Sequence, residues 1–406
     1  MNTKLDQLII SFCPNGVEFR RLDEIFYTRN GYTPSKSNSN YWNGNTCIPW
    51  FRMEDIREHG NILFDSLYHV TPTAIKGEVF PEDSIIVATS ATIGEHALVR
   101  VKSLANQRFT YLMLKDEYKY LYDIKFLYYY CYKLDQWCIS HLNQSSFASV
   151  DMRKFYAFTF PIPPLEVQRK IVYILDNFTE LTAQLTAELS ARKKQYEYYR
   201  NKLLHIEQVP YFSLEELCEI VDYRGKTPRK VDVGIFLVTA KNIRKGYIDY
   251  EKSTEYIDES DYEEVMHRGI PQVGDVLITT EAPCGNVAQV DRENIALAQR
   301  VIKYRSKTPL LNNDYLKYIL LGKEFQDKLS IAATGGTVKG IKGSKLHKLT
   351  IPVPDIERQK KIVNILKQFD VFCNDIINGL PAEIEARKKQ YEYYRDKLLT
   401  FKELCE

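Results

Sequence analysis

Residues 191–204 read ARKKQYEYYRNKLL and residues 386–399 read ARKKQYEYYRDKLL, identical at thirteen of fourteen positions. A string of this complexity does not recur by chance, so the chain is built on an internal repeat. Upstream, PPLEVQRKIVYILDNF at 163–178 matches PDIERQKKIVNILKQF at 354–369 with an offset of 191, and the second copy carries four extra residues between its two matching blocks. The similarity continues more faintly toward the start. VEFRRLDEI at 17–25 resembles VPYFSLEEL at 209–217, Gly31-Tyr32-Thr33-Pro34 resembles Gly225-Lys226-Thr227-Pro228, and Asn106-Gln107-Arg108 resembles Ala298-Gln299-Arg300. Each of the two units is thus a long variable segment followed by a strongly similar one.

The variable segments, roughly 17–160 and 209–352, carry short β-rich runs such as SIIVA at 84–88 and VLITT at 276–280, bounded by Pro, Gly, Asn and Asp. Helices are expected near 118–137 and 314–329, which makes each segment an α+β domain. The similar segments read as long helices. In the first, Ile171, Ile174, Phe178, Leu181, Leu185, Leu189, Tyr196, Tyr199 and Leu203 recur at steps of mostly three and four, a seam that pairs with another helix. A four-residue unit is doubled at 182–189, a stutter that locally unwinds a supercoil. In the second, Gly379-Leu380-Pro381 predicts a break near Asn378 and a restart at Pro381, because proline lacks the donor and clashes with the preceding turn.

The 406 residues are 44% hydrophobic and 27% charged, the composition of an ordinary globular chain with room for two or three domains. That excludes collagen, wholesale disorder and a disulfide scaffold. No stretch approaches eighteen consecutive apolar residues, and the run at 8–13 is too short for a secretory signal. A cytoplasmic location is expected. Eight scattered cysteines with no C-x-x-C pair read as reduced thiols, mostly packed in cores, with no metal site.

Catalytic signatures are missing. Gly335 and Gly340 bracket a stretch like a phosphate loop, but Ile341-Lys342 follow where Lys and Ser/Thr are required. No G-x-G-x-x-G follows a strand, no Asn-Pro-Pro-Tyr motif is present, and the one E-x-K match, Glu117-Tyr118-Lys119, sits in an expected helix. No catalytic residue and no cofactor is therefore assigned.

Basic clusters say more than the net charge of +2. Between Asp222 and Lys245, Arg224, Lys226, Arg229, Lys230, Lys241, Arg244 and Lys245 stand against two acids, and residues 334–348 hold four lysines, including Lys339, Lys342 and Lys345, four glycines and no acid. Lysines neutralise phosphates and glycines permit close backbone approach, although a solvated loop explains many such runs. With Thr227 and Arg300 these are the candidate DNA contacts of the second unit. In the first unit the candidates are Thr33, Lys36, Arg52, Ser90, Thr92, Arg108, Ser145 and Ser146, side chains that can read base edges or satisfy ordinary turns. Tyr196 and Tyr199, with their copies Tyr391 and Tyr394, could stack on bases, but their helical spacing suits packing against partner helices. With Phe178, Leu181, Leu185, Leu189 and Phe369 they form the candidate partner-binding set.

Two variable domains alternating with two near-identical helices closely resemble the specificity subunits of type I restriction-modification systems. The resemblance spans essentially the whole chain and rests on CPNGVEF at 13–19, PPLEVQ and PDIERQ at the helix starts, and the duplicated ARKKQYEYYR blocks. It implies an α+β fold of two mixed α/β target-recognition domains in pseudo-two-fold tandem, 1–160 and 209–352. Two long antiparallel coiled-coil helices, 161–208 and 353–406, separate them. It further implies a non-catalytic DNA reader in which each domain contacts half of a split double-stranded DNA target. Two methyltransferase subunits that bring S-adenosylmethionine, and restriction subunits that use ATP, would dock on it. The first unit departs by lacking the basic loop of 334–348.

An enzyme with an unrecognised site and a stand-alone tandem DNA-binding regulator are the competing readings. Duplication in one chain mimics a two-fold dimer and presents similar faces to two copies of a partner. A helix of about forty residues is about 60 Å long, enough to hold readers over half-sites about one helical turn apart. Deleting residues 186–189 is expected to shorten the DNA spacer in the recognised motif. Modified-base sequencing reads that spacer directly, and an unchanged length would rule the idea out.

Overall fold

The computed structural model describes residues 13–42, 47–143, 148–223, 228–335 and 339–404. Five helices of nine or more residues stand among them: α1 (Ile124–Ser140), α2 (Leu165–Leu204), α3 (Asn313–Leu321), α4 (Lys323–Ala332) and α5 (Ile356–Leu398). None is long and apolar enough to cross a membrane. Contacts gather the chain into two compact units, Met1–Leu185 with Glu383–Glu406, and Thr186–Ala382. Both long helices are divided by this grouping, so each unit owns one α/β lobe, the start of one long helix and the end of the other.

In the first unit, β1 (Phe26–Asn30), β2 (Ser84–Ala88), β3 (His96–Val99) and β4 (Phe109–Leu114) form a sheet in the order β1-β4-β2-β3, antiparallel throughout, with Ile62–Leu63 added in parallel beside β3. Strand β2 is buried on both faces. Ile85 and Val87 join the core under α1 with Phe126 and Leu134, while Ile86 and Ala88 face a second core around Trp50 and Phe80, as the two-residue period requires. The second unit repeats the design with β5 (Cys218–Asp222), β6 (Val276–Thr279), β7 (Val287–Gln289) and β8 (Val301–Ser306) in the order β5-β8-β6-β7. There Val276 and Ile278 serve one core and Leu277 the other.

The helix expected at 118–137 runs from Ile124, because Asp123 caps it by accepting from the Lys125 and Phe126 amides. The one expected at 314–329 is two helices that meet at Gly322. A Cβ there would stand 3.1 Å from the Ile319 carbonyl and 3.1 Å from Leu204 Cδ1, so glycine fits this tight junction without displacing a neighbour. The break expected at Gly379–Pro381 does not form: α5 is continuous with Pro381 inside it. An interior proline costs about 3 kcal/mol, and the helix carries that cost, with Ile384 buried three residues beyond the proline.

A glutamine fastens each lobe to a long helix. Gln168, fully buried, accepts from the Asp123 amide (2.9 Å) and donates to the Leu121 (2.8 Å) and Pro163 (2.7 Å) carbonyls. Gln359, equally buried, accepts from the Asn312 amide (2.9 Å) and donates to the Leu310 (2.7 Å) and Pro354 (2.8 Å) carbonyls. Within each unit the long-helix segments run antiparallel. Phe178 stacks on Tyr394 at 5.6 Å while Thr179 meets Tyr391 in the first, and Tyr199 stacks on Phe369 at 6.1 Å while Tyr196 donates to Asp370 at 2.5 Å in the second.

One repeated contact exchanges its charges. In the first unit Lys125 of α1 meets Asp176 of α2 at 2.7 Å; in the second, Asp314 of α3 meets Lys367 of α5 at 2.5 Å, at the matching positions. Burial raises the pKa of Asp314, and hydrogen bonds from Lys367 and Gln289 outweigh it, leaving the carboxyl below its ordinary range. Lys125→Asp should destabilise the first unit by about 1 kcal/mol, and adding Asp176→Lys should restore most of it. Denaturant melts that show the two changes simply adding would remove the pair's role.

Candidate nucleic-acid interface

The end of β2 or β6, the turn before β4 or β8, and the segment that follows the last loop of the lobe converge in both units. In the first, the Thr89 amide donates to the Arg108 carbonyl (3.0 Å), the Val150 amide donates to the Thr89 carbonyl (2.9 Å), and Ser90 pairs with Ser149. In the second, the Thr280 amide donates to the Arg300 carbonyl (2.9 Å), the Ile341 amide donates to the Thr280 carbonyl (2.9 Å), and Glu281 pairs with Gly340. One frame is therefore built twice, with Gln107-Arg108 and Gln299-Arg300 at matching places and Ser90 opposite Glu281. The loops also share a left-handed residue, Ala91 at φ +64° and Ala282 at φ +48°, and Arg300 itself sits at φ +72°. Strained non-glycine backbone of this kind concentrates at binding sites.

In the second unit the frame encloses an open cleft of about 410 Å³ lined by Thr280, Glu281, Gln299, Arg300, Thr334 and Lys342. Thr334 and Gly340 exchange amide–carbonyl bonds of 2.8 and 2.9 Å across it. The Arg300 Nε lies 3.7 Å from the Glu281 carboxylate, and both side chains remain about half exposed. In the first unit, Thr33 donates to the Gln107 side-chain oxygen at 2.6 Å, which brings the Gly31–Pro34 segment to the same turn. Gly31 is required there, since a Cβ would lie 2.3 Å from the Ala105 carbonyl.

The other candidates scatter more widely. Thr92 bonds back to the Ser90 carbonyl within the loop, Lys36 is exposed, and Arg52 lies over the Tyr68 ring at 4.1 Å. Lys339 and Lys345 are exposed; Lys345 sits on a short helical turn, Gly343–Leu346, outside the cleft lining. Ser145, Ser146, Arg224, Lys226 and Thr227 lie outside the described residues. In the basic run Arg229 and Lys241 are exposed, but Lys230 pairs with Glu255 at 2.8 Å and Arg244 with Asp249 at 3.3 Å. Counting charges along the chain overstated this patch, because its partners lie further on in sequence.

Sequence reasoning missed Gln107, Gln299, Thr280 and Glu281 as site residues. The retained Gln-Arg dipeptide was a usable signal for the first two, whereas a carboxylate beside a basic loop gives none.

The aromatic candidates of the long helices make contacts within their own units, and Tyr199 stays partly exposed there. Phe178, Tyr394, Tyr199 and Phe369 stack in pairs, Tyr196 binds Asp370, and Tyr391 packs against the first lobe's core. Leu181, Leu185 and Leu189 are half-buried. Tyr198 and its copy Tyr393, not singled out from sequence, are 61% and 56% exposed. Burial pushes the Cys138 and Cys218 thiols up to about 12, which makes those two poor nucleophiles. Among the described residues no group of three or more His, Cys, Asp or Glu is placed to hold a metal ion.

Against known families, residues 14–192 and 207–386 each match the type I restriction modification DNA specificity domain. The chain belongs to that family. The specificity subunit of the EcoprrI type I restriction enzyme of Escherichia coli is 42% identical over 381 residues, which cover 89% of either chain. A putative type I specificity subunit of Haemophilus influenzae is 32% identical over 297 residues, 68% of this chain and 72% of the relative. Among solved structures, a chain from a type I R-M system complex covers 95% of this specificity protein, and 98% of itself, with a TM-score of 0.63 at 18% identity. The S subunit from M. genitalium covers 95% and 97% with a TM-score of 0.51 at 14% identity. These two likenesses establish the tandem fold.

The left-handed backbone at Arg300 has a measurable consequence for this family member. Arg300→Gly and Arg300→Ala both remove the ion pair with Glu281, but only glycine adopts φ +72° freely. The glycine variant should be more stable than the alanine variant by about 1 kcal/mol. Equal melting temperatures would show that the turn relaxes instead.

Proposed function

We propose that the chain is the sequence-reading subunit of a type I restriction-modification complex, each lobe contacting one half of a split double-stranded DNA target. The observation that carries this is the backbone frame built twice with different side chains on it. A shared scaffold presents each lobe alike to a duplex, and differing side chains let the two halves of the target differ. Arg108, Arg300 and Lys342 supply phosphate or base contacts at these frames, with exposed Lys339, Lys345, Lys241 and Arg229 adding positive charge elsewhere on the second lobe.

The chain performs no chemistry itself. Two methyltransferase subunits carrying S-adenosylmethionine dock on the near-identical helical segments, and ATP-using restriction subunits join them in the cytoplasm. Tyr198 and Tyr393, exposed at equivalent places in identical sequence, suit two copies of one partner.

Co-expression with the methyltransferase subunit, followed by modified-base sequencing, is the test. N6-methyladenine at one split motif, present only when both proteins are made, is the expected result. Co-purification without any motif would leave a scaffold with no reading role, and failure to co-purify would dismiss the reading.

A further inference from the structure

The two frames differ most sharply at one matching position, Ser90 in the first unit and Glu281 in the second. The neighbours are retained: Thr89 and Thr280 make the same bonds to Arg108 and Arg300, and glutamine precedes each arginine. Glu281 is half exposed on the wall of the open cleft, with Arg300 3.7 Å away. A carboxylate is an unfavourable choice on a surface that meets phosphates unless it faces a donor. In the major groove only cytosine N4 and adenine N6 offer such donors, and the two thymine- and guanine-type edges repel a carboxylate. A serine hydroxyl both donates and accepts, so it imposes no comparable exclusion.

We infer that Glu281 is a specificity-determining residue of the second lobe, selecting a base with an exocyclic amino group at one position of its half-site, and that Ser90 occupies the equivalent, more permissive place in the first. Besides its own contact with DNA, Arg300 offsets the carboxylate's repulsion from phosphate, its guanidinium lying 3.7 Å away. The inference rests on the DNA-reading role proposed above.

The test uses the full chain co-expressed with its methyltransferase subunit and reads modified bases genome-wide for wild type, Glu281→Ser, Glu281→Gln and Ser90→Glu. Glu281→Ser should raise methylation at sites with a formerly rejected base at one position by roughly tenfold or more, leaving the other half-site unchanged. Ser90→Glu should narrow a position in the opposite half-site. The loop folds with serine in the first unit, and Glu281→Gln keeps the side chain's size while losing its charge, so misfolding of both variants is not expected; thermal melts check this. An unaltered motif in the folded Glu281 variants overturns the inference, as does complete loss of methylation by a folded variant, which would make Glu281 a binding residue. A wild-type chain that yields no motif defeats the function itself, a result distinct from either.

Discussion

A buried glutamine amide at the start of each long helix is the constraint on which the architecture rests. Gln168 and Gln359, both fully buried, each satisfy one backbone amide and two carbonyls. Removing such a side chain leaves three backbone groups without that partner, and a buried one among them, the Pro163 or Pro354 carbonyl, costs about 1–3 kcal/mol. The three groups belong to the residues leading into α1 or α3 and to the proline turn leading into α2 or α5. The amide therefore sets the angle at which an α/β lobe joins its helix, and it does so identically twice. Everything that depends on the two lobes being alike, from the stacked aromatics to the loop frames, inherits that equality.

Duplication poses its own difficulty, because two similar lobes and two similar helices can in principle exchange partners during folding. The charge exchange between Lys125–Asp176 and Asp314–Lys367 addresses this. A first lobe set on α5 would bring Lys125 against Lys367, and a second lobe set on α2 would bring Asp314 against Asp176. Each correct contact is worth little at a half-exposed site, but the difference between attraction and repulsion discriminates more than either alone. Tyr129 and Tyr318 reinforce it by donating to Asp176 and Asp370, carboxylates at non-equivalent positions of the two helices.

The architecture was largely legible in the sequence because its signals are periodic. The duplicated blocks, the apolar seam from Ile171 to Leu203 and the strand runs at 84–88 and 276–280 each depend on spacing alone. Pro381 misled because a local rule weighs about 3 kcal/mol against the whole of a forty-three-residue helix. The site was legible only in part. Arg108 and Arg300 stood out as charges beside a retained glutamine, but their convergence with Ser90, Glu281 and Lys342 depends on bonds between segments up to sixty residues apart. Charge runs, in contrast, were read too generously, because Glu255 and Asp249 lie beyond the window in which Lys230 and Arg244 were counted.

The same asymmetry explains why a repeat protein can diverge where it reads and stay fixed where it is held. Frame contacts at Thr89 and Thr280 run through backbone groups, which any side chain supplies, so the loop geometry survives the change from serine to glutamate. Helix contacts such as Phe178–Tyr394 and Tyr199–Phe369 run through side chains and tolerate little change. Near-identity along the helices and divergence across the lobes are therefore one consequence of where the chain uses its backbone and where it uses its side chains.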